Sequence, residues 1–210
     1  MFSHRRKVRG FTLIELVITI SILIILVTIA APSFVDTLDK RRLINATQAV
    51  SAHIQLARSI ALVRNEQIRL IIGTQENEWC LGISDDLQSA CDCFVQETIS
   101  SDGSEIEFPE GACTVGVPLP GSEDRMLGSI QSSQFPNIDF ETQSSPEANE
   151  IYFEPSRGLL SNSPNFVEFF LTSPRDRTTR VTVNIIGRVN TCSQNEALLG
   201  GIGQCAVPSE

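Results

Sequence analysis

Leu16 to Val35 is an unbroken run of twenty residues without a charged side chain. At a rise of about 1.5 Å per residue, a helix of that length crosses a hydrocarbon layer of about 30 Å. The pattern then changes. Leu43, Ala46, Val50, Ile54, Ala57, Ala61 and Arg64 recur at steps of three and four, with Lys40, Arg41, Arg42, Gln48, Gln55 and Arg58 between them, which predicts an amphipathic helix. One helix from about Leu13 to about Arg64, roughly 75 Å long, is therefore expected. Its second half should bury the apolar stripe on a globular head. Pro32 lies inside the apolar run and has no N–H for the carbonyl of Thr28, so a kink or local melting is expected there. His53 falls on the stalk and reads as a helix-surface residue.

After Asn65 the period becomes alternating. Val167, Phe169 and Leu171 share one face of a strand with Glu168 and Thr172 on the other, and Val181, Val183 and Ile185 repeat this with Arg180, Thr182 and Asn184 outward. Ile68 to Ile72, Trp79 to Ile83, Ile138 to Phe140 and Ile151 to Phe153 are shorter strand candidates, separated by Gly, Pro, Ser and Asn clusters. No helix-sized periodic block lies between strands, which favours antiparallel sheets over a βαβ arrangement. The fold class is α+β: a long amino-terminal helix packed on a carboxy-terminal antiparallel β head.

The 210 residues leave room for one ordinary domain plus an extra element, and 41% hydrophobic with 20% charged residues exclude a disordered chain. The formal net charge of −9 is unevenly placed. Arg5, Arg6, Lys7 and Arg9 precede the apolar run, and without them 12 basic side chains face 25 acidic ones. Between Glu66 and Glu168 there are 19 acids against Arg69, Arg125 and Arg157, so this region should repel polyanions.

Basic residues ahead of an apolar segment keep that end cytoplasmic and send the rest outward. A secretory signal peptide, cleaved near Ala30-Ala31, would have an apolar stretch of only about 7 to 15 residues. A plain single-pass anchor explains length and orientation. Neither explains Glu15, a carboxylate at the edge of the span that needs a partner. The stretch Arg9-Gly10-Phe11-Thr12-Leu13-Ile14-Glu15-Leu16 resembles the class III signal of type IV pilins and type II secretion pseudopilins. The resemblance implies cleavage by a membrane prepilin peptidase between Gly10 and Phe11 and N-methylation of the new Phe11 amine. It also implies that Glu15, the fifth residue of the processed chain, pairs with the terminal amine of a neighbouring subunit during assembly. Pilins of this type carry a proline where Pro32 stands, and partial melting there accompanies packing into the filament. The chain then divides into a leader of residues 1–10, a helix of 11–65 (membrane-spanning 11–35, amphipathic stalk 36–65) and a β-rich head of 66–210.

A narrower resemblance lies in Gln55-Leu56-Ala57-Arg58-Ser59-Ile60-Ala61-Leu62-Val63-Arg64-Asn65, which is similar to the helix end of the GspH/FimT (FimU-like) group of minor pilins and minor pseudopilins. Phe153-Glu154-Pro155-Ser156-Arg157-Gly158 resembles that group's F-x-P-x-G turn, and Val183-Asn184-Ile185-Ile186-Gly187-Arg188-Val189 its closing strand with a Gly-Arg pair. The resemblance implies two antiparallel sheets stacked against the helix. Residues 73 to 150 match nothing in it.

Six cysteines, Cys80, Cys91, Cys93, Cys113, Cys192 and Cys205, in turn-rich sequence favour disulfides and an oxidising compartment. Zinc is the rival, but there is no C-x-x-C and the histidines are only His4 and His53. Closing Cys192 to Cys205 would restrict a glycine-rich loop, an effect of about 3 kcal/mol. Cys91 and Cys93 are too close to pair with one another easily, so each should reach elsewhere.

Beyond residue 10 His53 is the sole histidine, so a Ser-His-Asp or Cys-His site in the head lacks a base, and no enzyme activity, cofactor or metal is expected. Asp102-Gly103-Ser104-Glu105 lacks EF-hand spacing and reads as a turn. The expected function is that of a minor pilin of a type IV pilus, anchored in the inner membrane with a periplasmic head, priming assembly or capping the tip. The partners are the prepilin peptidase and other major and minor pilins or pseudopilins. The first alternative is the minor pseudopilin H of a type II secretion system. The second is a DNA receptor in natural transformation. Some FimT-type pilins bind DNA through G-R-x-R, but here the stretch is Gly187-Arg188-Val189-Asn190 and the second arginine is absent. Arg175, Arg177, Arg180 and Arg188 form a basic stretch against Asp176, with Arg188 and Arg180 as the candidate phosphate contacts.

Overall fold

The computed structural model describes residues 11–76, 78–95, 98–99, 106–119, 124–144, 149–161, 166–195 and 198–206, with the backbone alone at 29–32, 98–99, 106–107 and 198. Helix α1 runs from Leu13 to Arg64, over 52 residues, as the periodicity predicts. The chain separates into two units, Met1–Leu38 and Asp39–Glu210. In the second unit the stripe residues Leu43, Ala46, Val50, Ile54, Ala57 and Ala61 are all fully buried. The expected kink at Pro32 concerns a side chain outside the described residues, as do Gly10 and the Asp102–Glu105 turn.

The head is built on two larger antiparallel sheets, beside which the described residues form three two-stranded ones. The first holds β1 (Ile68–Gln75), β2 (Glu78–Ser84), β3 (Ser129–Gln131), β5 (Glu150–Phe153) and β6 (Leu160–Ser161), in the order β6-β5-β1-β2-β3. The second holds β4 (Asp139–Ser144), β7 (Phe166–Thr172), β8 (Thr178–Asn184) and β9 (Val189–Ser193), in the order β9-β8-β7-β4. Alternation produces the register: Val167 faces Val183 and Phe169 faces Val181 across β7 and β8, and all four are buried. One hydrophobic cluster joins the helix stripe to both sheets, including Leu70, Leu81, Phe153, Phe169 and Val183. Trp79 is stacked between Phe135 and Phe140 and donates its indole N–H to the Ile138 carbonyl at 3.0 Å.

Two expectations need correction. Strand β8 ends at Asn184, so Ile185 does not continue the inward face of Val181 and Val183; it lies exposed in a turn with Ile186. The Asn184 carbonyl accepts the Gly187 N–H at 2.8 Å, and Gly187 adopts φ +70°, a conformation that opens the turn and is costly for other residues. His53 is not on the helix surface. It is 7% exposed because it lies three residues after Val50 and four before Ala57, on the same stripe.

Among the described residues all six cysteines are oxidised: Cys80 pairs with Cys93, Cys91 with Cys113, and Cys192 with Cys205. No group of three His, Cys, Asp or Glu side chains suited to a metal ion occurs among the described residues. The Cys192–Cys205 loop returns Leu199 and Ile202 to the core side, both buried.

Candidate functional site

The first turn of α1 is capped by its own sequence. Thr12 stands one residue ahead of the helix; its Oγ1 accepts the Glu15 N–H at 3.3 Å and its carbonyl accepts the Leu16 N–H at 3.2 Å. Glu15 therefore sits in the first turn, where the helix dipole favours a carboxylate. Among the described residues that carboxylate has no ion-pair partner in its own chain. Phe11, the residue that cleavage would make the amino terminus, is 83% exposed; Gly10 lies outside the described residues.

From Leu13 to Val27 the large apolar side chains are exposed on every side of the helix. Its hydroxyls turn inward on the helix itself: Thr19 Oγ1 donates to the Leu16 carbonyl, Ser21 Oγ to Val17 and Thr28 Oγ1 to Ile25, each at 2.8 Å. A rod that is apolar all round, with these hydroxyls internally satisfied, suits lipid or other apolar helices and not water. No single helix among the described residues is long and apolar enough to cross a membrane; the segments Leu13–Thr28 and Ser33–Arg64 pass that test as a pair.

The three segments that resemble the GspH/FimT group meet at one point. Arg58 Nε donates to the Gly158 carbonyl at 3.1 Å. Gly158 (φ +63°) and Gly187 (φ +70°) both press on the Arg58 side chain, and a Cβ on either would lie within 2.9 Å of Arg58 Nε. The helix end, the F-x-P-x-G turn and the Gly-Arg turn thus form a single seam around one guanidinium.

The arginines proposed as a nucleic-acid patch are mostly engaged. Arg177 Nη1 pairs with Asp39 Oδ2 at 2.8 Å and Arg180 Nη1 with Glu168 Oε1 at 3.3 Å. Arg188 is exposed in the turn after Gly187, where its N–H donates to Asn184 Oδ1 at 2.9 Å. Asp39, which sequence reasoning passed over, also accepts Ser173 Oγ at 2.8 Å and is buried. The signal was present: Asp39 stands four residues ahead of Leu43, an acid in line with the apolar stripe.

His53 is held in neutral form by burial, its pKa lowered to about 4. The Leu81 and Gly128 backbones face the ring, yet Nε2 has no partner at hydrogen-bonding distance. Arg69 is buried and donates through Nη2 into the divergent region, to the carbonyls of Asp86 at 2.9 Å and Ser89 at 2.5 Å, while Arg125 pairs with Asp85 at 2.7 Å. The Asp86 carboxyl, accepting from the Ser89 hydroxyl and from the Gln88 and Ser89 amides, is held down at about 2.

Residues 5–31 match the family model of the prokaryotic N-terminal methylation motif. No curated protein matches the chain. Among solved structures it is similar to the type IV minor pilin FimU of Pseudomonas aeruginosa, at 14% identity and a TM-score of 0.44, covering 76% of this chain and 98% of that one. It is also similar to the minor pseudopilin EpsH from the Type 2 Secretion System of Vibrio cholerae, at 10% identity and a TM-score of 0.41, covering 72% and 96% respectively. The chain thus carries the prokaryotic N-terminal methylation motif at the start of a long helix that leads to an antiparallel β head.

Proposed function

We propose that this chain is a minor pilin of a type IV pilus. A prepilin peptidase cuts between Gly10 and Phe11, the new amine is methylated, and the helix carries a periplasmic head from the inner membrane into the filament, where it primes assembly or caps the tip. The observation that carries this reading is the amino-terminal helix: apolar on all sides from Leu13 to Val27, with one carboxylate, Glu15, that has no ion-pair partner among the described residues of its own chain. A lone charge in a low-dielectric surrounding is costly, and the terminal amine of a neighbouring subunit would offset part of that cost. The seam around Arg58 supports the GspH/FimT group, because the segments that carry the resemblance depend on one another in space.

Glu15→Ala in the native host tests this reading. The processed, methylated mass of the chain should persist while its incorporation into filaments is lost; unchanged piliation and twitching would refute the assembly role of Glu15. Minor pseudopilin H is the alternative on the same helix. Deleting the protein separates the two, since loss of twitching supports the pilus and loss of exoprotein secretion supports the secretion system. The DNA-receptor reading is weaker: of the four arginines in that stretch, Arg177 and Arg180 are paired with acids.

A further inference from the structure

Half of the 12 basic residues that follow position 10 lie in two short stretches, 40–42 and 175–180. The fold joins them. Arg177 Nη1 and Ser173 Oγ both donate to Asp39 Oδ2, each at 2.8 Å, which brings the 173–177 turn against α1 at Asp39. Successive helix residues point about 100° apart. With Asp39 turned to the head, Lys40, Arg41 and Arg42 ring the remaining directions at nearly one level. Arg41 and Arg42 are exposed, and so is Arg175 in the turn.

The acids in or just before these stretches are Asp36, Asp39 and Asp176, three against six bases. The rest of the head has the opposite sign, with 19 acids against three bases from Glu66 to Glu168. The ring begins five residues after Val35, the last residue of the uncharged run; that is roughly 7 Å of helix. This is within the Debye length of about 8 Å at physiological salt.

We infer that Lys40, Arg41, Arg42 and Arg175 form a basic collar that holds the head against the anionic phospholipid headgroups of the bilayer in which the amino-terminal helix sits. The inference rests on the membrane-anchored pilin reading. An acidic head on a short tether is repelled by an anionic surface. The collar reverses the sign of the field at the one level that touches the headgroups, and so sets the attitude in which the subunit waits before it is drawn into a filament.

The test uses the full processed chain in nanodiscs of phosphatidylcholine alone or of phosphatidylcholine with phosphatidylglycerol, read by backbone hydrogen exchange in the 173–178 turn. Phosphatidylglycerol should slow exchange there by about five-fold or more, the effect expected of even one arginine at an anionic surface. High salt should abolish the slowing, and so should the combined Arg41→Gln, Arg42→Gln and Arg175→Gln variant, which should keep its disc retention and Trp79 fluorescence. Equal exchange in the two discs overturns the inference. So does protection by duplex DNA with none by phosphatidylglycerol, which would assign the collar to nucleic acid. A chain retained in discs without lipid-dependent protection fails on the collar alone; a chain that enters neither disc fails on the anchor as well.

Discussion

Arg58 and Gly158 stand one hundred positions apart in the chain, yet the arginine Nε reaches the glycine carbonyl at 3.1 Å. The bond ties the end of the helix to the turn between β5 and β6, and Gly187 closes over the same guanidinium. Arg58 is half-buried, so it joins the head through its side-chain stem as well as through its charge.

Arg58→Ala should therefore destabilise the fold by about 2 kcal/mol, the range for a hydrogen bond to a charged group with its packing. Arg58→Lys should recover only part of this, because an ammonium cannot keep the Nε geometry. Thermal unfolding followed by the fluorescence of Trp79, the single tryptophan, measures both.

Gly158→Ala and Gly187→Ala should each cost about 1 to 3 kcal/mol, since both positions combine positive φ with a side chain where a Cβ would stand. Gly111→Ala is the control. It has φ +84° with open space around it, so it should show the backbone term without the crowding. Equal losses at all three positions would count against the seam as a packing centre.

Asp39→Ala should be more damaging than an exposed ion pair would suggest, by about 3 kcal/mol. It leaves Arg177, whose side chain is only 15% exposed, without its carboxylate. A double-mutant cycle with Arg177→Ala should return a positive coupling, and independent, additive effects would show the pair to be inert.

Acid should weaken the head through His53. Its folded pKa of about 4 lies below the unfolded value of 6.5, so between these values the unfolded chain binds more protons. Stability is full above about pH 6.5 and declines as pH falls towards 4, by on the order of 3 kcal/mol. Replacing His53 with Gln should flatten this part of the stability profile, measured by denaturant unfolding at a series of pH values.

Reduction should act locally. Losing Cys192–Cys205 through Cys192→Ser and Cys205→Ser should cost about 3 kcal/mol. It should also expose Leu199 and Ile202 to solvent, which limited proteolysis of the 198–203 loop would detect.

The sequence by itself determined the helix, its apolar stripe and the alternating strands β7 and β8, because each is a local periodicity imposed by 3.6-residue and two-residue repeats. It also determined the amino-terminal motif, in which every informative residue lies within one short stretch. Tertiary structure decided what those repeats leave free. Asp39 and His53 share the stripe of Leu43 and Val50, but only the head could say that one would meet Arg177 and Ser173 and the other would be shut in as the neutral imidazole. Ile185 has the right spacing to face inward, and a glycine turn two residues later placed it outside. The pairing of Cys80 with Cys93 and of Cys91 with Cys113 depended on which loops came together. So did the pairing of Arg177 with Asp39 and of Arg180 with Glu168. Charge and thiol chemistry act through distance in space, and distance between segments far apart in the chain is the quantity that local pattern does not carry.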